Sequence, residues 1–274
     1  NSAIAAIIAE RMQIPVYHME AGNRSFDANV PEELNRRMVD HVASFNLPYN
    51  DFSMRNLLSE GIHPRRISKT GSPIREIFIK NKEAILSSDI LGRLGLEKQS
   101  YVLASVHRQE NVDFPKRLAA IVACLQAVQT QFQLPVLVST HPRTQKRLDE
   151  SGLKLPKDVT FHQPFGYLDY NNLQMNSFVV ISDSGTISEE ASILNFPAVC
   201  IRESIERPEA LETGAMILTG IEPESVVDSI RLATLETDVA QPEGYEVSDF
   251  SERVLRFVFS TAKLHSRWAG LHAG

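Results

Sequence analysis

The stretch FVVISDSGTISEE, residues 178–190, decides the fold. Phe178–Ser182 is a near-continuous apolar run, as expected of a parallel strand buried on both faces. It turns through Asp183-Ser184-Gly185 into a helix expected over Thr186–Asn195. Backbone N–H groups at such a helix start favour phosphate, and Gly185 lets the backbone come close. Glu190 lies beyond the first turn, where dipole complementation explains it poorly. It is placed to accept hydrogen bonds from ribose hydroxyls. An ordinary helix cap with first-turn acids is the plainer reading of the same residues.

Outward from this stretch the strand–helix alternation continues on both sides. Strands are expected at Tyr101–Val106, Pro135–Ser139, Val159–Phe161, Pro197–Ile201 and Met216–Thr219. Between them helices are expected at 114–132, 143–150, 168–175, 204–213 and 223–235. In the first of these, Leu118, Ile121, Val122, Leu125 and Val128 recur at helical spacing and read as core. This series has the rhythm of a Rossmann-like domain. Upstream, a helix Ser2–Met12, a strand Ile14–Tyr17, a helix Pro31–Ala43, a short strand Ser44–Leu47, a helix Asp51–Glu60 and a strand Arg66–Thr70 repeat the pattern. Lys80–Ser100 reads as a connector with a small helix, Asp238–Glu246 as a linker, and Asp249–Leu264 as a last amphipathic helix. The fold class is therefore α/β with parallel sheets, divided at 1–82, 83–245 and 246–274. A helix feeding a parallel strand normally follows another strand, so the first domain is expected to begin upstream of Asn1.

The 274 residues carry a formal charge of −6, with 43% hydrophobic and 23% charged residues. That balance argues against a nucleic-acid surface. No apolar run approaches the roughly 18–20 residues that cross a bilayer, so no membrane partner is expected. Cys124 and Cys200 sit in apolar runs and read as buried reduced thiols, which suits the cytoplasm. The histidines and cysteines show no zinc spacing, and there is neither a GxGxxG nor a P-loop, so no metal and no cofactor are expected.

The polar residues gather at strand ends, where α/β sheets hold ligands. After Ile14–Tyr17 come His18, Glu20 and Arg24, then Glu32, Glu33, Asn35, Arg36 and Arg37 around the next helix start. Glu32 and Glu33 also suit the helix dipole. Glu20, beside the Ala21-Gly22 turn, has little capping to do and reads as a site residue. His107 and Arg108 emerge where YVLASV ends, a pairing that suits an anion. Arg207 adds a cation in RESIERPE, residues 202–209, which also reads as a solvated charge run. One domain offers carboxylates and the other a phosphate seat, a division that suits a nucleotide-linked substrate.

His18-Met-Glu20-Ala-Gly22, Pro31-Glu-Glu-x-Asn-Arg36, His107-Arg-x-Glu-Asn111, Asp183-Ser-Gly185 with Glu189-Glu190, and Glu206-Arg-Pro-Glu-Ala210 resemble, in this order, the non-hydrolysing UDP-N-acetylglucosamine 2-epimerases. The resemblance implies two Rossmann-like domains of GT-B type, with the last helix crossing back to the first domain. It implies a homodimer working in the bacterial cytoplasm on precursors of surface polysaccharides such as capsule. The implied isomerase reaction eliminates UDP across C1–C2 of a UDP-sugar, then adds it back after protonation on the other face. The resemblance makes Glu20, Glu32 and His107 catalytic. Ser184, Gly185 and Thr186 would hold the phosphates, Glu190 the ribose, and the backbone of Tyr170 the uracil. Arg24, Asn35, Arg36, Arg108 and Arg207 complete the implied substrate-binding set. A catalytic Asp of the family pattern would precede Asn1. Asn23 stands where the commonest members have an apolar residue, and Thr186 replaces a second glycine. The form Gly22-Asn-Arg-x-Phe-Asp27 is closer to the branches acting on UDP-2-acetamido-2,6-dideoxy-L-talose, which make UDP-N-acetyl-L-fucosamine, or on UDP-diacetamido-glucuronate. A GT-B glycosyltransferase and an inactive UDP-sugar-binding module are the competing expectations. The Glu20 and Glu32 pair favours the epimerase, because a transferase needs no paired acid and base across the sugar.

Overall fold

The computed structural model describes residues 2–27, 31–235, 240–268 and 270. The chain forms two compact units, one of residues 1–79, 206–209 and 242–274, the other of residues 80–205 and 210–241. The four residues Glu206–Glu209, expected within the second domain, belong to the first unit. The change from first to second unit falls inside the helix Ile74–Leu86, so the expected connector from Lys80 begins as helix.

The first unit carries β1 (Tyr17–Met19) and β2 (Phe45–Leu47), paired in parallel with Tyr17 opposite Phe45. β1 starts later than the apolar pattern suggests. Pro15 has no N–H to give a ladder, and the Val16 N–H donates to the Ser44 hydroxyl at 3.0 Å. The expected strand Arg66–Thr70 is not regular strand. Its chain runs beside β2, with Ser68 N–H donating to Asn46 O and Thr70 N–H to Pro48 O, both at 3.0 Å. Pro48 cannot donate in return, and only Asn46 and Ile67 form a bridge. Part of the expected linker is packed: Pro242, Gly244 and Tyr245 are buried, and the Gly244 carbonyl accepts from Ser72 N–H at 2.9 Å. Asp238 and Val239 lie outside the described residues. The helix Phe250–Thr261 sets Phe257 edge-on against Tyr17 and Phe45, with ring centroids 6.1 and 5.4 Å away.

The second unit holds β3 (Val102–Ser105), β4 (Val136–Ser139), β5 (Val159–His162), β6 (Val179–Ser182), β7 (Ala198–Cys200) and β8 (Ile217–Leu218). All are parallel, in the spatial order β5-β4-β3-β6-β7-β8. Successive side chains alternate between two cores. Val102, Ala104, Val138 and Ile181 pack with Ile121, Leu125, Val226 and Ile230 of the helices Pro115–Phe132 and Pro223–Ala233. Leu103, Leu137, Val180 and Cys200 pack with Leu173, Ile187 and Ala191 of the helices Tyr167–Asn176 and Ile187–Leu194. Both cysteines are buried free thiols, and burial pushes the Cys124 thiol up to about 12. The expected helix Ser204–Thr213 shrinks to Pro208–Glu212. The residue before a proline is kept out of the helical region, so the helix starts at the proline itself. No helix among the described residues is long and apolar enough to cross a membrane.

Leu103 is fully buried between β4 and β6. Leu103→Ala is expected to destabilise the sheet unit by about 2–5 kcal/mol in urea unfolding, since a tight parallel core closes poorly around a cavity.

Candidate functional site

In the second unit the strand order reverses between β3 and β6, the crevice where doubly wound sheets bind ligands. Ser105 and Ser182 end these strands side by side. The loops that follow are tied by one carboxylate. Asp183, fully buried, accepts from the N–H groups of His107 at 3.1 Å and Arg108 at 2.9 Å, and from Asn111 Nδ2 at 3.0 Å. His107 Nδ1 lies 3.3 Å from the same carboxylate while its ring stays 42% exposed. Arg108 Nε donates to the Asp183 carbonyl at 3.0 Å, and its guanidinium passes beside Gly185. A side chain at Gly185 would crowd it.

Thr186 caps the helix Ile187–Leu194 rather than opening it. The N–H groups of Ser184 and Thr186 rest on the hydroxyls of Ser182 and Ser184, at 3.1 and 3.3 Å. Both N–H groups sit at the helix start, where the oxygens of an anion can take the place of these hydroxyls as acceptors. Glu190 accepts from Thr186 Oγ1 at 2.6 Å and Gln174 Nε2 at 2.7 Å, so its carboxylate is fixed in direction while lone pairs remain for hydroxyl groups. Tyr170 lies inside the helix Tyr167–Asn176, where its N–H donates to Gly166 O at 2.9 Å. Burial raises its phenol, with the Glu190 charge adding to the rise, and the hydroxyl bonds Ser105.

The first unit's site is built around the turn after β1. Glu20 holds a left-handed φ of +62°. Its Oε1 accepts from Asn23 Nδ2 at 3.0 Å and Arg207 Nη2 at 3.2 Å, and Arg36 Nη2 stands 3.9 Å away. Oε2 has no partner among the described residues. The Arg207 guanidinium, buried, lies 5.6 Å over the Tyr49 ring. Glu206 reaches Arg36 Nη1 at 3.6 Å, and Glu209 accepts from the Tyr245 hydroxyl at 3.0 Å. Burial pushes the Glu209 carboxyl up. Glu206–Glu209 is thus the arm that brings Arg207 to Glu20, so Arg207 is no solvated charge.

Asp40 was missed by the sequence reading, since a polar residue late in a helix carries no signal. It is fully buried and accepts from the Gly22 N–H at 3.2 Å. His18 Nδ1 lies 2.7 Å from its Oδ1 and Arg24 Nη2 2.7 Å from its Oδ2. Arg24, expected to bind substrate, is itself buried and forks onto Glu60 at 2.9 and 2.6 Å. It is a strut of the loop, with no face left for a ligand. Glu33 likewise holds the loop, accepting from Ser25 N–H at 2.8 Å. Its neighbour Glu32 and Asn35 are exposed on the helix Pro31–Val42. Among the described residues no group of three or more His, Cys, Asp or Glu could hold a metal.

The parallel order and its reversal between β3 and β6 define a Rossmann-type α/β fold. The family model for UDP-N-acetylglucosamine 2-epimerase matches residues 1–258, and the chain belongs to that family. It is 36% identical over 240 residues to the UDP-N-acetylglucosamine 2-epimerase of Methanocaldococcus jannaschii, covering 85% of this chain and 66% of that one. It is 32% identical to the UDP-2,3-diacetamido-2,3-dideoxy-D-glucuronate 2-epimerase of Pseudomonas aeruginosa, over 94% and 72% of the two chains. Among solved structures, the Rickettsia bellii UDP-N-acetylglucosamine 2-epimerase superposes with a TM-score of 0.89 at 38% identity, over 97% of this chain and 72% of that one. The M. jannaschii enzyme in complex with UDP-GlcNAc and UDP gives 0.87 at 33% identity, over 93% and 72%. The chain spans about two thirds of the length of the first of these curated relatives.

Two expectations follow from these paired carboxylates. Both Asp183 oxygens face N–H donors, so Asp183→Asn sets an NH2 group against an amide and should cost about 1–3 kcal/mol in urea unfolding. The hydrogen bond from Arg24, then its charge, holds Glu60 below the usual carboxylate range. A depressed folded value gives stability that is complete above the unfolded-state pKa, about 4.3, and is lost as pH falls through the folded value. Glu60→Gln should therefore be about 1.5–3 kcal/mol less stable than the parent at pH 7, with the gap in Tm closing on acidification.

Proposed function

We propose that the protein is a UDP-N-acetyl-sugar 2-epimerase, an isomerase that inverts C2 of a UDP-2-acetamido sugar. The observation that carries the reading is Glu20, whose carboxylate is fixed through Oε1 by Asn23, Arg207 and Arg36 while Oε2 stays open. A carboxylate oriented by cations yet open at one oxygen suits proton transfer at a defined position. In the proposed reaction the C2 proton is removed and the C1–oxygen bond to UDP breaks with its electron pair leaving on the diphosphate. A C1=C2 double bond results. Protonation of C2 on the opposite face and return of UDP to C1 complete the inversion. Glu20 takes one of the two proton-transfer roles and Glu32 the other.

The nucleotide falls to the second unit. Ser184, Gly185 and Thr186 take the phosphates, Arg108 supports their charge, and His107 stabilises the departing diphosphate. Glu190 takes the ribose hydroxyls. Asn35 and Arg36 hold sugar groups, with Arg36 also orienting Glu20. Relatives of similar identity act on UDP-GlcNAc and on a diacetamido-glucuronate, and UDP-2-acetamido-2,6-dideoxy-L-talose is the third candidate sugar. A cytoplasmic homodimer serving bacterial surface polysaccharide synthesis belongs to the same reading.

The test is to incubate the intact protein with UDP-GlcNAc in D2O and follow C2 by NMR. Deuterium at C2 and a second UDP-HexNAc are expected, with Glu20→Gln slowing exchange about 10²–10⁴-fold while UDP still binds. Exchange with none of the three sugars would sink the proposal and turn attention to a transferase or a binding module.

A further inference from the structure

The proposed reaction gives no role to Gln174, which is fully buried in the helix Tyr167–Asn176. Its Nε2 donates to Glu190 Oε2 at 2.7 Å, across to the helix Ile187–Leu194. Its Oε1 is buried with no hydrogen-bond partner among the described residues. An amide buried with one end unpaired costs stability, and an apolar side chain of the same length would not incur that cost. Stability alone therefore does not account for a glutamine here. The bond to Glu190 is what the residue supplies.

Thr186 departs from the ordinary in the same way. A threonine at a helix N-cap usually turns its hydroxyl onto the amides of the first turn. Thr186 makes no such cap bond. Its hydroxyl donates instead to Glu190 Oε1 at 2.6 Å. That bond uses the hydroxyl's only proton, so Ser184 is the donor in the 3.1 Å contact between Ser184 Oγ and Thr186 Oγ1. A chain of hydrogen bonds thus runs from Ser184 through Thr186 to Glu190. The Thr186 N–H is a separate donor, resting on Ser184 Oγ at 3.3 Å, and an anion can take it over without breaking the link to Glu190.

We propose that Gln174 and Thr186 are positioning residues that set Glu190 for a vicinal diol, and that through them this unit selects a ribonucleoside diphosphate over its 2′,3′-dideoxy form. The inference rests on the reading above, in which Glu190 takes the ribose. A carboxylate offers about four lone-pair sites. One on each oxygen is spent on Thr186 or Gln174, so each oxygen keeps one for a hydroxyl. Two hydroxyls on adjacent carbons match the two oxygens of one carboxylate. Thr186 also sets the spacing, because its N–H serves the phosphates while its hydroxyl holds the acceptor of the diol. Without either anchor Glu190 keeps its charge but loses its direction, so affinity for the diol falls while phosphate binding stays.

The experiment measures Kd by isothermal titration calorimetry for UDP and 2′,3′-dideoxy-UDP, with the intact chain and its variants. The parent is expected to bind UDP about tenfold or more tightly than the dideoxy form, since hydrogen bonds to a charged group are at stake. Gln174→Met and Thr186→Val keep the side-chain size and should leave the far-UV circular dichroism unchanged. Each should weaken UDP about tenfold, because a hydrogen bond to a charged acceptor is lost. Each should leave the dideoxy form within about twofold of the parent, as groups that do not interact contribute independently. Thr186→Ser, which keeps the hydroxyl, should retain the parent's preference. Variants that weaken both nucleotides alike, or that keep the full preference for UDP, would overturn the inference while leaving the ribose assignment of Glu190 standing. A parent that does not bind UDP, or binds both nucleotides equally, would sink that assignment and the inference with it.

Discussion

Parallel pairing is the constraint on which the rest of the structure depends. Because every strand of the six-stranded sheet runs the same way, every strand ends at one edge, and each must be followed by a helix that returns the chain. The order reverses between β3 and β6, so their two loops diverge from neighbouring strands and leave a crevice. The chemistry of the second unit is the content of those loops: His107 and Arg108 after β3, Ser184 to Thr186 after β6. The two-stranded sheet of the first unit obeys the same rule, with Glu20 following β1.

A strand end places a loop but does not fix its conformation. In both units a buried carboxylate does this. Asp183 gathers the first amides after β3 onto the turn after β6, and Asp40 gathers His18, Gly22 and Arg24 around the turn that presents Glu20. Each buried charge is offset by several donors, the condition under which a buried carboxylate is tolerable. Removing donors from such a site leaves a charge that the interior cannot solvate, so these loops are held far more firmly than exposed loops of the same length. Gly22 itself is irreplaceable for a separate reason: its φ is +80° and a side chain there would collide with the Ser53 carbonyl.

The excursion of Glu206–Glu209 shows how a short segment can serve a unit to which it is not adjacent in sequence. Its arginine is sandwiched between the Tyr49 ring and Glu20, and its two flanking glutamates reach Arg36 and Tyr245. Pro208 opens the helix Pro208–Glu212 and keeps Glu206 and Arg207 out of it. A charge run that reads as solvated surface is therefore mostly buried, with Glu206, Arg207 and Glu209 all under 4% exposed.

The sequence by itself determined the α/β class, the strand and helix alternation of the second unit, and the position of the polar clusters at strand ends. These follow from local periodicity, which depends only on neighbours in the chain. Its motifs also pointed to the family. Strand β1 and the segment beside β2 were misplaced because prolines removed ladder donors on which regular pairing depends, and periodicity does not register a missing N–H. Tertiary structure alone decided which charged groups are structural. Arg24 and Glu33 look like site residues in the linear sequence, and Asp40 looks like nothing. Their roles are set by burial and by partners up to 36 residues away, Glu60 for Arg24 among them. A charged side chain becomes a strut or a reactive group according to whether the fold surrounds it with donors or leaves one oxygen open, and that depends on contacts that no local pattern encodes.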